Sequence, residues 1–296
     1  MLENSIGCEE PTQYMRRLQK GGRVDHLNLY WSWHQMLNFG DWIGPYLFKK
    51  ITGIAPLHCR VWRVNPPASL YFTAGSIFRK IKKDDVAIVW GSGTMDTTTT
   101  PRRPKRTLAL RGPISQSVFD RLGYDVPDVV GDPGLCLPLF YKPENLQKSA
   151  RLGIVAHGFD LSDWQNVNLP DGVKLISVNR DVEEVVQDII SCEAIASSSL
   201  HGIIEAHAYG VPACWIAPLR NELIGDGTKF RDYFLSVGMG IHKPETLEQH
   251  NGKDLIDLVH RCTLPTKSLA NMAKELISVC PFNKEMAEKE NQQIRK

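Results

Sequence analysis

Apolar residues in this chain fall into short, nearly continuous runs separated by polar turns and by stretches of helical spacing. The runs at 27–31, 69–73, 86–90, 107–110, 129–132, 152–156, 173–178, 193–197 and 212–216 are rich in branched and aromatic side chains, which predicts strands buried on both faces. Between them, apolar positions at Ile43, Tyr46, Leu47 and Ile51 predict a helix that stops near Gly53. Similar reasoning predicts a basic helix at about 76–85 and helices at 113–122, 182–192, 203–209 and 229–235. A short helix at 13–20 and tail helices at 246–261, 266–279 and 282–294 complete the pattern; the last is so polar that it covers a surface or bridges domains. Strands alternating with helices predict an α/β protein with parallel sheets, whose loops gather at the carboxyl edges of the strands.

The sharpest strand-to-helix passage is Ser197-Ser-Ser-Leu-His-Gly202. Its serines offer capping oxygens, Gly202 lets the backbone approach a ligand, and the free N–H groups of a helix start favour an anion, with His201 beside it. Arg111 follows a buried strand and precedes Gly112-Pro113, a place for a two-pronged grip on carboxylate or phosphate, or for a structural ion pair. Asn38 and Asp41 can cap the helix that follows them. Ser92 lies in Gly91-Ser-Gly93 after a buried strand, but no Gly-x-Gly-x-x-Gly fingerprint is present, so neither a nicotinamide nor a flavin site is expected. The segment 97–106, with Arg102, Arg103, Lys105 and Arg106, reads either as a solvated, mobile loop or as a flap recruiting an anionic acceptor or a lipid headgroup.

A length of 296 residues with 42% hydrophobic content suffices for two domains. These are placed at 1–140 and 141–280, two halves facing across a cleft, with 281–296 as a terminal helix. A net charge of +2 is too small to imply nucleic acid, and no apolar run is long enough to span a bilayer. The seven cysteines are scattered and lack Cys-x-x-Cys spacing, against a disulfide framework or a zinc site. With no basic, apolar leader at the N-terminus, the expectation is a cytoplasmic protein. His201 and His207 stand six apart, on different helical faces, so no metal constellation is expected.

Seven motifs, in order, resemble the polysaccharide pyruvyltransferase family over roughly residues 27–240. They are Asn38-Phe-Gly-Asp41, Trp90-Gly-Ser-Gly93, Arg111-Gly-Pro113, Val130-Gly-Asp-Pro133, His157, Ser198-Ser-Leu-His-Gly202 with Ala208-Tyr-Gly-Val-Pro212, and Gly225-Asp-Gly-Thr-Lys-Phe-Arg-Asp-Tyr233. The resemblance implies a fold similar to the GT-B glycosyltransferases, two Rossmann-like domains with the active site between them. It implies phosphoenolpyruvate as donor substrate, no cofactor, and a product with pyruvate held as a ketal on two hydroxyls of a sugar. The setting it implies is surface polysaccharide or exopolysaccharide biosynthesis, on a sugar or lipid-linked oligosaccharide at the cytoplasmic membrane face; peripheral membrane association and a homo-oligomer are compatible with it.

The site implied by the resemblance has His201 and Arg111 as catalytic residues, with Asn38, Asp41, Ser92, Asp132, His157, Ser198, Ser199, Leu200, Gly202 and Lys229 around the substrates. The residue types suit that chemistry. Phosphoenolpyruvate needs cationic forks and helix starts, and ketal formation needs an acid/base near neutrality, for which His201 is the natural group. Asp41 and Asp132 can hold sugar hydroxyls or orient basic groups, and Lys229 can meet phosphate. One departure stands out: many similar chains carry arginine before Leu-His-Gly, where this one has Ser199, so a cation must come from Arg111, Arg180, Lys229 or Arg231. Two other classes stay open at this point, a GT-B glycosyltransferase using a nucleotide sugar and a non-catalytic saccharide-binding member of an assembly complex.

Overall fold

The computed structural model describes residues 28–30, 38–53, 57–58, 69–144, 147–219, 225–246 and 252–282. The helices expected at 13–20 and 282–294 lie outside the described residues, apart from position 282. Every strand pairing within the two sheets is parallel. The first sheet contains β1 (Asn28–Tyr30), β2 (Leu57–His58), β3 (Leu70–Phe72), β4 (Ala87–Trp90) and β5 (Arg106–Ala109), in the order β2-β1-β3-β4-β5. The second contains β6 (Ala150–Ala156), β7 (Val173–Ser177), β8 (Cys192–Ser197) and β9 (Ala213–Trp215), in the order β7-β6-β8-β9. The fold is therefore mixed α/β with parallel sheets, consistent with a Rossmann-like arrangement.

Side chains alternate across these strands as the pleat requires. Along β6, Leu152, Ile154 and Ala156 enter a core beneath the second sheet with Trp164 and Ile216, whereas Val155 points the other way. A separate core of Leu70, Phe72, Val89 and Phe119 lies on one face of the first sheet. The largest core joins both sheets, packing Phe39, Trp42, Leu47 and Trp90 with Val155, Ile203 and Phe234.

Helices from both halves of the chain pack into that junction. Helix α1 (Phe39–Thr52) begins at Asn38, whose side chain accepts from the Gly40 amide at 3.1 Å, and ends at Gly53 in a left-handed conformation, φ 73°. Asn38 and the stop at Gly53 are as expected, whereas Asp41, the other expected cap, lies within the first turn of the helix. Its Phe39 N–H donates to the Val178 carbonyl beyond β7 at 2.8 Å, and its Tyr46 hydroxyl donates to Glu183 in the helix after β7 at 2.7 Å. Helices α2 (Pro113–Arg121), α3 (Leu137–Phe140), α4 (Leu161–Gln165), α5 (Val182–Ile190), α6 (Leu200–Ala208), α7 (Thr228–Ser236), α8 (Gly252–Asp257) and α9 (Leu269–Ser278) follow. Helix α9 returns to the first sheet, where the Trp90 indole donates to the Leu276 carbonyl at 2.9 Å. Just beyond it, the Phe282 ring lies 4.9 Å from Phe48, 5.1 Å from Tyr71 and 5.7 Å from Trp90.

Several expectations are corrected. The basic helix at 76–85 is a single 3₁₀ turn, Phe78–Lys80, because the Asp85 carboxylate accepts the Lys82 amide at 2.7 Å and closes a turn in place of a helical bond. The run 129–132 makes only an isolated bridge, Leu110↔Val130, before Gly131 turns the chain at φ 147°. β2 went unpredicted. The basic segment 97–106 is pinned rather than loose: Pro101 and Pro104 are buried, the Tyr124 hydroxyl donates to the Pro101 carbonyl at 3.0 Å, and Arg103 lies 5.0 Å over the Tyr124 ring. The five described cysteines are free, and most are buried, as expected of scattered thiols.

Helix α6 starts at Leu200, three residues earlier than its spacing predicts, so His201 and Gly202 sit in its first turn. The reason Gly202 is glycine is packing against the sheet, not room for a ligand: a Cβ there would lie 2.4 Å from Ser197 Oγ and 2.7 Å from Val155 Cγ1. Replacing Gly202 by Val is expected to cost at least about 2 kcal/mol by overpacking, read as a lower urea midpoint at unchanged slope.

Candidate functional site

The serines before α6 build the turn that carries His201. Ser197 Oγ accepts the Ser199 amide at 3.0 Å and lies 2.8 Å from the carbonyls of Val155 and Ser199. Ser198 Oγ donates to Asp160 at 3.1 Å and accepts the His157 amide at 2.9 Å, tying the end of β8 to the end of β6. Asp160, which sequence reasoning missed, also accepts from the Trp164 indole and the Leu219 amide, both at 2.9 Å. Ser199 occupies the N-cap position in extended conformation, and Leu200 is buried in the shared core. His157 stacks on Phe159, with ring centroids 5.2 Å apart. Ser198 is therefore a brace and Leu200 a packing residue; neither is laid open to a substrate.

The His201 ring is enclosed by backbone from the first half of the chain. A Cβ at Gly40 would meet its Nδ1 at 2.4 Å, and one at Gly75 would lie 3.9 Å from Cε1. Glycine is required at position 40 because the helix start must come this close. Gly75 is held there by Ser92, whose buried hydroxyl donates to the Gly75 carbonyl at 2.8 Å and accepts the Ile77 amide at 3.2 Å. Nε2 of His201 faces Asp132 Oδ2 at 3.8 Å, with 12% of the histidine side chain and none of the aspartate exposed. Asp132 is fixed by capping the Pro133–Cys136 turn, its Oδ1 accepting the Gly134 amide at 3.0 Å. Burial pulls the imidazole below the ordinary histidine range; Asp132 opposes this, while Arg111 and Lys229 reinforce it.

Arg111 takes the second of its two expected places, a structural ion pair. It is fully buried, with Nε and Nη2 on Asp232 Oδ2 at 3.1 and 3.0 Å, Nη1 donating to Ser76 Oγ at 2.7 Å and Nη2 to the Thr94 carbonyl at 2.6 Å. The other Asp232 oxygen accepts the amides of Ile114 and Ser115 at 2.9 and 3.0 Å, so a carboxylate from α7 caps the start of α2. The guanidinium is a latch inside the protein, and it reaches the histidine through its charge rather than by gripping a ligand. Gly93 is glycine to make room for it, since a Cβ there would fall 2.3 Å from the guanidinium carbon.

Asp41 and Lys229 complete the group. Burial holds the Asp41 carboxyl at about 7, well above the usual carboxylate range, against the pull of Lys229. Burial drops the Lys229 ammonium to about 8, with Arg111 pushing the same way and Asp41 opposing. Arg180 is tied to Asp188 and the Glu184 carbonyl, and Arg231 to the Asp226 carbonyl at 2.7 Å. Of the four cations that could stand in for an arginine at Ser199, Lys229 is the one with no carboxylate at ion-pair distance among the described residues. Its Nζ lies 5.2 Å from the Phe230 ring centre. Among the described residues, no three His, Cys, Asp or Glu side chains could hold a metal ion.

The structure thus sets His201 against Gly40, Gly75 and Asp132, within the electrostatic reach of Arg111 and Lys229, and Lys229 in turn acts on Asp41. Glu205, one turn beyond His201, and Asp232 belong to the same region and were not foreseen. A carboxylate inside the apolar run Ile203-Ile-Glu-Ala206 was the available signal for Glu205. Replacing Arg111 by Met, or Asp232 by Leu, is expected to cost about 3–5 kcal/mol each by stranding a buried charge, whereas the double replacement recovers most of the loss. Chemical denaturation of the three variants checks this.

The family model for polysaccharide pyruvyl transferase matches residues 24–220. That span takes in Gly40, Asp132 and His201 and stops short of α7, which supplies Lys229 and Asp232. A similar protein is the uncharacterized protein L143 of Acanthamoeba polyphaga mimivirus, 28% identical over 262 residues that cover 82% of this chain and 87% of that protein. With a match over more than half of its length, running through the strand-to-helix turn that carries His201, the chain belongs to the polysaccharide pyruvyl transferase family.

Proposed function

We propose that this protein transfers the pyruvyl group of phosphoenolpyruvate to two hydroxyls of a sugar, forming a ketal during assembly of a surface polysaccharide. The observation that carries the reading is the enclosure of His201 by Gly40, Gly75 and Asp132. In this reading the protein is a GT-B-like pair of domains, residues 1–140 and 141–280, with the acceptor on the first and the donor on the second. The acceptor is a sugar or lipid-linked oligosaccharide presented at a membrane face. No helix among the described residues is long and apolar enough to cross a membrane, and the proposal needs none.

The chemistry assigns roles. His201, kept neutral by burial, takes the proton of the first attacking hydroxyl at Nδ1, since Nε2 is sealed against Asp132. Asp41, still protonated up to about pH 7, delivers a proton to the methylene carbon. The hydroxyl oxygen bonds to the adjacent carbon, phosphate leaves with its bonding pair, and the second hydroxyl closes the ring. Of the two hydroxyl protons, one is matched on the new methyl group and one on phosphate. Lys229 meets the donor's phosphate, doing part of what an arginine at Ser199 would do.

Incubation with phosphoenolpyruvate and a panel of glycosides is expected to release phosphate and add the mass of a pyruvate ketal; no turnover over a broad panel overturns the reading. His201→Ala is expected to lower kcat at least about 100-fold with Tm unchanged. Because Lys229 is cationic only below about pH 8, KM for phosphoenolpyruvate should rise above that pH. Lys229→Arg, charged throughout, should flatten that rise.

A further inference from the structure

Glu205 lies one turn after His201 on α6, with none of its surface exposed. Neither carboxyl oxygen has a hydrogen-bond partner. It presses on the turn that holds Asp132: a Cβ at Gly134 would fall 2.3 Å from Oε1. Asp132 Oδ2 and His201 Nε2 are also buried without a hydrogen-bond partner. An orphaned buried carboxyl is costly, and an apolar residue would fill this place in the helix at less expense.

We propose that Glu205 is a positioning residue for His201: a carboxylic acid behind Asp132 that serves as hydrogen-bond donor to the Asp132 carboxylate and so keeps the imidazole in the Nε2–H tautomer. This rests on the reading of His201 as the acid/base of pyruvyl transfer, for which Nδ1 must carry the free lone pair. The groups facing Glu205 are Asp132, Tyr233, Tyr209 and Cys136, and Arg111 and Lys229 face His201. None of the four around Glu205 is cationic. The Tyr233 hydroxyl is already engaged with His207 at 3.1 Å. Two carboxyl groups in one sealed space cannot both ionise. Burial, with Asp132 adding to it, raises Glu205 well above the carboxylate range, so Glu205 is the one that keeps its proton. The pair then holds one shared proton, and the tautomer of the histidine follows from the Asp132 oxygen that faces Nε2 at 3.8 Å.

The experiment compares wild type, Glu205→Gln and Glu205→Met, all with ¹⁵N-labelled histidine, at pH 7. His201 is assigned from the His201→Gln spectrum. Wild type and Glu205→Gln, which keeps a donor, are expected in the Nε2–H form; Glu205→Met is expected to populate Nδ1–H. With phosphoenolpyruvate, Glu205→Met should lose about 10- to 100-fold in kcat at nearly constant KM, with Gln restoring most of it, within the range that a wrong tautomer can cost. An infrared carbonyl band of a buried carboxylic acid, present in wild type at pH 7 and lost in Glu205→Gln, gives the same answer without relying on Glu205→Met folding. Absence of that band, or an unchanged tautomer in Glu205→Met, overturns the role of Glu205. The tautomer and infrared results need no substrate, so failure of pyruvyl transfer would be seen separately, as lack of turnover by the wild-type protein.

Discussion

One carboxylate, Asp232, ties α7 both to Arg111 and to the start of α2. It neutralises Arg111 on one side and closes the exposed amides of α2 on the other. Both tasks are done in the dry interior, where an uncompensated charge is far more costly than at the surface. The positions that follow from it form a chain of contacts. Arg111 lies against Gly93 and bonds to Ser76, and Ser92, between the two glycines, fixes Gly75 against the histidine ring. The imidazole thus sits in a socket made of backbone, and its walls are set by an ion pair with no exposed surface.

The electrostatic character of the site follows from the same arrangement. Arg111 spends its hydrogen bonds internally, yet its charge still lowers the affinity of His201 and Lys229 for protons. Asp41 is drawn towards neutrality from the other direction. Burial therefore raises Asp41 to about 7, drops Lys229 to about 8 and pulls His201 below the ordinary histidine range, so each of the three is biased towards its neutral form.

How much of this could be read from the residues depended on the range of the interactions involved. Buried strands announce themselves through local runs of branched and aromatic side chains, and most of the expected strands are present. The α1 caps were legible for the same reason, since Asn38 and Gly53 act on their own neighbours. The basic segment after Ser76 was misread because a single carboxylate, Asp85, diverts the backbone from a helix that spacing alone favours. For Arg111 the residues left a ligand grip and a structural ion pair open, and could not name Asp232 as its partner because that partner lies 121 residues away. The resemblance set His201, Asp132 and Asp41 in one expected site, and of these His201 and Asp132 face each other at 3.8 Å. The burial of Ser198 and Leu200, and the packing reason for Gly202, required the third dimension.

The return of the C-terminal segment to the first sheet has a temporal consequence. Trp90 completes its hydrogen bonding only when Leu276 arrives, and Phe282 fills the space between Phe48, Tyr71 and Trp90. During synthesis the early half of the molecule therefore waits, with an aromatic surface uncovered, until residues 276–282 have left the ribosome. Such long-range closure slows folding and lengthens exposure to aggregation. It also means that a product truncated before residue 276 leaves the Trp90 indole without its carbonyl acceptor.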